Sequence, residues 1–164
     1  MLKTISYPFQ PKSNRYLIPG QFWAIPLSNG QFSCGRVLEI SAEHTKHFIA
    51  GLMDWCGPEP PTSEDLKGCA ILKQGDGHVK MIVETALNGM ILGYRDLTLD
   101  ELEVAYFRSQ EMFADDCMLQ KGYTEIRPIT KKEYEQYLTF STWGYEVIKF
   151  RAEDCFVTKS KYLY

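Results

Sequence analysis

Gln21-Phe22-Trp23-Ala24-Ile25-Pro26-Leu27-Ser28-Asn29-Gly30-Gln31-Phe32-Ser33-Cys34-Gly35-Arg36-Val37-Leu38-Glu39-Ile40 is the stretch that decides the fold. Gln21 to Leu27 is short, apolar and aromatic, and reads as a strand whose Pro26 points to an edge or a bulge. Ser28-Asn29-Gly30 is a hairpin turn, because Asn-Gly takes positive φ at little cost. Gln31 to Ile40 returns as a second strand. Phe32, Cys34, Arg36, Leu38 and Ile40 alternate onto one face, with Val37 opposite. Gly35 inside it predicts a bulge or a close backbone approach. Two apolar strands joined by a tight turn point to an antiparallel sheet.

Working outward, residues 1–17 form a polar arm with scattered aromatics, closed by a turn at Pro19-Gly20. Lys46 to Trp55 reads as a third strand with apolar residues on both faces, hence a central one. After Gly57 to Pro61 breaks the chain, Thr62 is expected to cap one helical turn ending near Leu66. Cys69 to Lys73 reads as a short strand ended by a turn at Gly75-Asp76-Gly77. Val79, Ile82, Val83, Ala86 and Leu87 carry a helical stripe, with Asn88-Gly89 as its stop. Met90 to Tyr94 reads as a strand. Thr98 and Glu101 fit a capping box opening a short acidic helix. Residues 108–122 have no period and read as a long polar connection. Thr130 and Glu133 fit a second capping box, opening a helix to about Leu138. Gly144 to Phe150 reads as a last strand. No repeat or linker interrupts the chain. The expectation is one α+β domain over residues 1–164, with a mainly antiparallel twisted sheet of six or seven strands and a few short helices.

The 164 residues suffice for a core without disulfide or metal. Apolar residues at 45% and charged residues at 24% exclude a disordered chain or a coiled coil. No apolar run reaches the roughly 20 residues of a membrane helix, and the first residues lack a signal-peptide core. The expected location is therefore the cytoplasm, away from membranes. Five cysteines without a C-x-x-C pair read as reduced, mostly buried thiols. Charge is uneven. Asp54, Glu59, Glu64 and Asp65 make one acidic segment. Asp96, Asp100, Glu101, Glu103, Glu111, Asp115 and Asp116 make a second, opposed only by Arg108. A basic stripe is missing, so nucleic acid is not an expected partner. Acidic segments suit a solvated face, or a basic protein partner drawn in by steering.

No pattern argues for catalysis. His44 and His47 are spaced H-x-x-H but lack paired further ligands for zinc, and read as surface histidines. Cys34 lies beside Arg36, a cation that could lower a thiol pKa, yet a cysteine within a strand reads first as core. Gly75-Asp76-Gly77 fits neither the dinucleotide nor the P-loop pattern. Asp100-Glu101 and Asp115-Asp116 are sequence neighbours, whose side chains do not converge. No metal or cofactor is expected. A general binding module and a small Cys/His enzyme remain open at this stage.

Ile18 to Leu27, Asn29-Gly30 and Gly35-Arg36-Val37-Leu38 together resemble the opening of the immunity protein 26 family. That family begins with a strand that carries a Gly, a Phe and Ile-Pro-Leu, followed by a glycine turn and a Gly-Arg-Val strand. The matching positions are Gly20, Phe22, Ile25, Pro26, Gly30, Gly35, Arg36 and Val37, read as fold-defining. Gly51 to Trp55 and Ile91-Leu92-Gly93 continue the likeness, and Trp143-Gly144-Tyr145 is a fainter echo. Gln21 departs from it, since an acidic residue is common there. The resemblance implies a bacterial immunity protein that binds and neutralises a cognate toxin domain encoded by an adjacent gene, without catalysis. For the binding surface, the acidic run suggests Asp100, Glu101, Glu103, Glu111, Asp115 and Asp116, with Tyr106 and Phe107 as anchors.

Overall fold

The computed structural model describes residues 4–110 and 116–159. Its main sheet contains β1 (Gln21–Pro26), β2 (Phe32–Ile40), β3 (His47–Gly57), β4 (Ile71–His78) and β5 (Gly93–Tyr94). Their order is β4-β3-β2-β1-β5, all antiparallel. A second antiparallel sheet follows in the order β6 (Tyr106–Arg108), β7 (Met118–Lys121) and β8 (Thr124–Pro128). The helices are α1 (Lys80–Thr85), α2 (Lys131–Tyr134) and α3 (Val147–Glu153), the last continuing into a π-helical turn, Asp154–Thr158. The architecture is α+β, with strands divided between two sheets of five and three instead of one sheet of six or seven.

The quoted hairpin forms as its residues dictate. Leu27 and Gln31 close the turn and Gly30 holds φ at +84°. β5 pairs only with Gln21 and Phe22, so Pro26 sits where β1 is an edge and its missing N–H costs nothing. Trp23 lies opposite Gly35, and a Cβ there would stand 2.3 Å from the indole. Gly35 therefore seats the tryptophan, and the register slips between Ser33 and Gly35. Phe48 from β3 meets Trp23 edge-on, ring centroids 5.9 Å apart.

The main sheet is covered on both faces, as β3 required. Trp23, Ile25, Val37, Phe48, Ala50 and Leu52 pack against Val79, Met81 and Ile82 around α1 and Ile148 and Ala152 of α3. On the opposite face, Leu38 and Ile49 meet Phe107 and Phe140 beneath the second sheet. Glu153 of α3 accepts hydrogen bonds from the Ser28 backbone and hydroxyl, both 2.7 Å, tying that helix to the hairpin turn.

Several expectations are corrected. Gly75-Asp76-Gly77 is not a turn: β4 runs through it, and Gly75 is bare because Trp143 lies where its Cβ would be, 2.3 Å away. Residues 108–122 are not a mere connection, since their ends form strands β6 and β7. Residues 144–150 are not a strand. They lead into α3, whose Ile148 and Ala152, four apart, are buried together. Met90 to Tyr94 yields only two strand residues. Thr98 and Glu101 form no capping box. Asp96 caps a 3-10 turn, Leu97–Asp100, and Glu101 ends it at φ +55°. The Thr130–Glu133 capping box is present, but its helix stops at Tyr134. The 78–88 stripe gives α1, and a separate 3-10 turn, Leu87–Gly89, holds the Asn88-Gly89 stop.

One segment joins the two sheets. The Arg108 N–H donates to Leu138 O at 2.9 Å and the Phe140 N–H to Arg108 O at 2.8 Å. Three residues on, the Asp76 N–H donates to Ser141 O at 2.9 Å and the Trp143 N–H to Asp76 O at 2.8 Å. Residues 138–143 thus strap the edge of β6 to the edge of β4.

Candidate functional site

The strap closes one side of a cleft of about 640 Å³ between the two sheets. The end of β2 and the loop after it supply Glu39, Ser41, Glu43 and His44. β4 supplies Asp76, and the β7–β8 turn supplies Tyr123, Thr124 and Glu125. Phe140, Thr142 and Gln110 complete the wall. Among the described lining residues, four are carboxylates and none is a lysine or arginine.

These walls are held by specific bonds. The Asn14 amide donates to the carbonyls of Ser41, His44 and His47 at 3.1, 2.9 and 2.8 Å, fixing the loop after β2. The Gln110 amide donates to Phe140 O and to Thr142 Oγ1. The Tyr123 hydroxyl donates to Asp76 Oδ1 at 2.5 Å, and His47 Nδ1 lies 3.2 Å from the same oxygen. Burial, then the bond to Asp76, pushes the Tyr123 phenol up. Glu39 Oε1 takes a long bond, 3.4 Å, from the Tyr123 N–H. Its other oxygen occupies the space a Cβ on Gly122 would fill. Burial raises the Glu39 carboxyl, opposed by the Tyr123 N–H and by Lys121.

The three histidines form a row: His44 and His47 have ring centroids 5.5 Å apart, His47 and His78 5.6 Å. Register explains this, because His47 and His78 are cross-strand partners. Among the described residues, no group of three His, Cys, Asp or Glu is arranged to hold a metal ion. Cys34 is fully buried, and burial outweighs Arg36 and pushes its thiol up. Burial likewise raises Cys56, Cys69 and Cys155, so these thiols are turned away from the thiolate a nucleophile needs.

The acidic run is split by the structure. Asp100 faces inward, its side chain 2% exposed, in a two-pronged bond with Arg95 at 2.7 and 2.9 Å. It also accepts the Gly68 N–H. The hydrogen bonds from Arg95 hold its carboxyl down at about 2. Its carboxylate is spent on the fold. Glu101 and Asp116 are exposed. The Glu103 side chain is 74% exposed, with Lys121 at 3.4 Å. Glu111 and Asp115 lie outside the described residues. Tyr106 is 48% exposed beside Lys121, whereas Phe107 is 4% exposed and packed at a tilt against Phe140, a core residue and not an anchor. Phe22, Ile25, Gly35, Arg36 and Val37 are buried in the main sheet. Arg36 Nη2 donates to Arg95 O at 2.5 Å, while its Nε and Nη1 are buried without a hydrogen-bond partner.

The cleft itself was missed by sequence reading. From sequence Asp76 reads as part of a turn, and Tyr123, just past the 108–122 connection, is given no role. The available signal was Lys121-Gly122-Tyr123 between two short alternating runs, which is a hairpin.

The match to known families now has a structural frame. The family model described as Immunity protein 26 matches residues 18–116, more than half of the chain. The chain belongs to the immunity protein 26 family. None of the curated proteins and none of the solved structures matches it. The matched residues comprise the main sheet, α1 and β6, which accords with the resemblance at Gly20 to Leu38. β7, β8, the strap and α3 lie beyond them, and so does Trp143-Gly144-Tyr145. The cleft is therefore walled on one side by the family's residues and on the other by the chain's C-terminal part. No helix among the described residues is long and apolar enough to cross a membrane.

Proposed function

We propose that this protein is a bacterial immunity protein that neutralises a cognate toxin domain by tight, non-catalytic binding in the cytoplasm. The family match over residues 18–116 carries the reading. The partner is encoded beside it, since the producing cell needs both products together. A complex tight enough to protect a cell is nanomolar to picomolar, about −12 to −16 kcal/mol, and buries roughly 1,600 Å². The exposed acids Glu101, Glu103 and Asp116, together with Tyr106, form the outer part of the contact. Glu111 and Asp115 extend it, and Asp100 supports it from beneath through Arg95. Acids on such a rim act mainly on the association rate.

A second reading has one observation in its favour. β8 is the last strand of its sheet and all five of its residues are exposed. A binding module could use that edge to recruit an extended segment by strand addition. Co-expression with the C-terminal domain of the protein encoded immediately upstream separates the two readings. A tight one-to-one complex together with host survival is expected. Binding of many extended peptides with similar strength, without a tight complex or host survival, would favour the second.

A further inference from the structure

We infer that the cleft between the two sheets receives a lysine or arginine side chain of the bound toxin domain, a step that rests on the immunity reading. The volume, about 640 Å³, falls within the range of pockets that enclose a ligand and exceeds a single guanidinium. It suits a cationic side chain with its flanking backbone. Glu39, Glu43, Asp76 and Glu125 surround that space, and among the described lining residues only His44 could carry a positive charge. A phosphate or an acidic peptide would be repelled there.

The carboxylates are positioned, not merely gathered. Asp76 spends Oδ1 on both Tyr123 and His47, and no described residue bonds its Oδ2, which is left for an incoming donor. Glu39 is wedged under the bare Gly122 and, among the described residues, receives only the long Tyr123 bond. Lys121, whose charge reaches Glu39, pairs with Glu103 outside the cleft. Burial raises the Glu39 carboxyl, so its charge lacks full compensation, which an entering cation would supply. A planar guanidinium can bridge two such carboxylates. Tyr123, Thr124, Glu125, Phe140 and Thr142 lie beyond the family-matched residues, so this wall also sets which toxin is accepted.

The test needs no toxin. N-acetylargininamide is titrated into the full isotope-labelled chain, with N-acetylglutaminamide as neutral control, and backbone amide shifts are followed by NMR. Saturable shifts confined to Asp76, Tyr123, Thr124, Glu125 and Thr142 are expected, with the arginine probe alone. Glu39→Gln with Glu125→Gln should weaken that binding at least about tenfold, the scale of a lost charge-assisted bond. Glu59→Gln with Glu84→Gln, both exposed and outside the cleft, should leave it unchanged. Shifts that do not saturate, that appear equally with the neutral probe, or that survive the cleft substitutions would overturn the inference. Since toxin neutralisation is read separately by co-expression, failure here with intact protection would remove the cleft and keep the immunity reading.

Discussion

The two sheets of this protein are built on opposite principles. The main sheet carries apolar residues on both faces and is closed by α1 and α3 on one side and by Phe107 and Phe140 on the other. The second sheet buries Phe107 against the main sheet and Leu119 in a small cluster with the flanking Cys117 and Ile129, and its outer strand is exposed along its length. The first lies wholly within the family-matched residues. β7 and β8 of the second do not. Buried apolar packing is thus concentrated in one sheet and exposed polar chemistry in the other.

Substitutions sharpen this contrast, beginning where the effect is greatest. Trp23→Ala removes the side chain seated on Gly35 and should cost about 3–5 kcal/mol, read as a lower midpoint in urea unfolding. An equal loss from a β8 substitution such as Ile126→Ala would break the comparison.

Next comes Asp100→Asn. Arg95 holds the native carboxyl at about 2, below the roughly 3.9 of an unfolded chain. A depressed carboxyl stabilises the fold fully above its unfolded pKa and loses that contribution as pH falls through its folded pKa. The parent should exceed the Asn variant in stability at pH 6, and the gap should close between about pH 4 and pH 2. A gap independent of pH would show that the ion pair is not its source.

A smaller effect is expected at the cleft. Tyr123→Phe deletes the hydroxyl donated to Asp76 and should cost about 1 kcal/mol, with Trp23 fluorescence unaltered in the native state. Smallest is Glu103→Gln. Its exposed pair with Lys121 should change stability by less than about 0.5 kcal/mol, while slowing association with the toxin and flattening its salt dependence.

The same division governs what could be read from sequence. The β1–β2 hairpin was legible because its signals are local: Asn-Gly at the turn, Pro26 at an edge and Gly35 opposite a large aromatic. β3 was legible because both of its faces are apolar. β4 through Gly75-Asp76-Gly77 was not, because the reason for bare glycines is Trp143, 68 positions away. The last segment, 144–150, alternates well enough for a strand, and only packing of Ile148 and Ala152 onto the sheet makes it a helix. Within the candidate site, Asp100 was named for charge, but its role depends on Arg95 and the Gly68 N–H. The cleft was invisible because Glu39, Asp76 and Tyr123 meet only once two sheets are strapped together.

Hydrogen exchange on the protein alone and in complex with its co-expressed toxin domain tests the central claim most directly. The account predicts new protection at residues 41–47 and 123–128 around the cleft, with exchange in α3 unchanged. Protection confined to α3 and its exposed Phe150, leaving the cleft and the second sheet as they were, would contradict it.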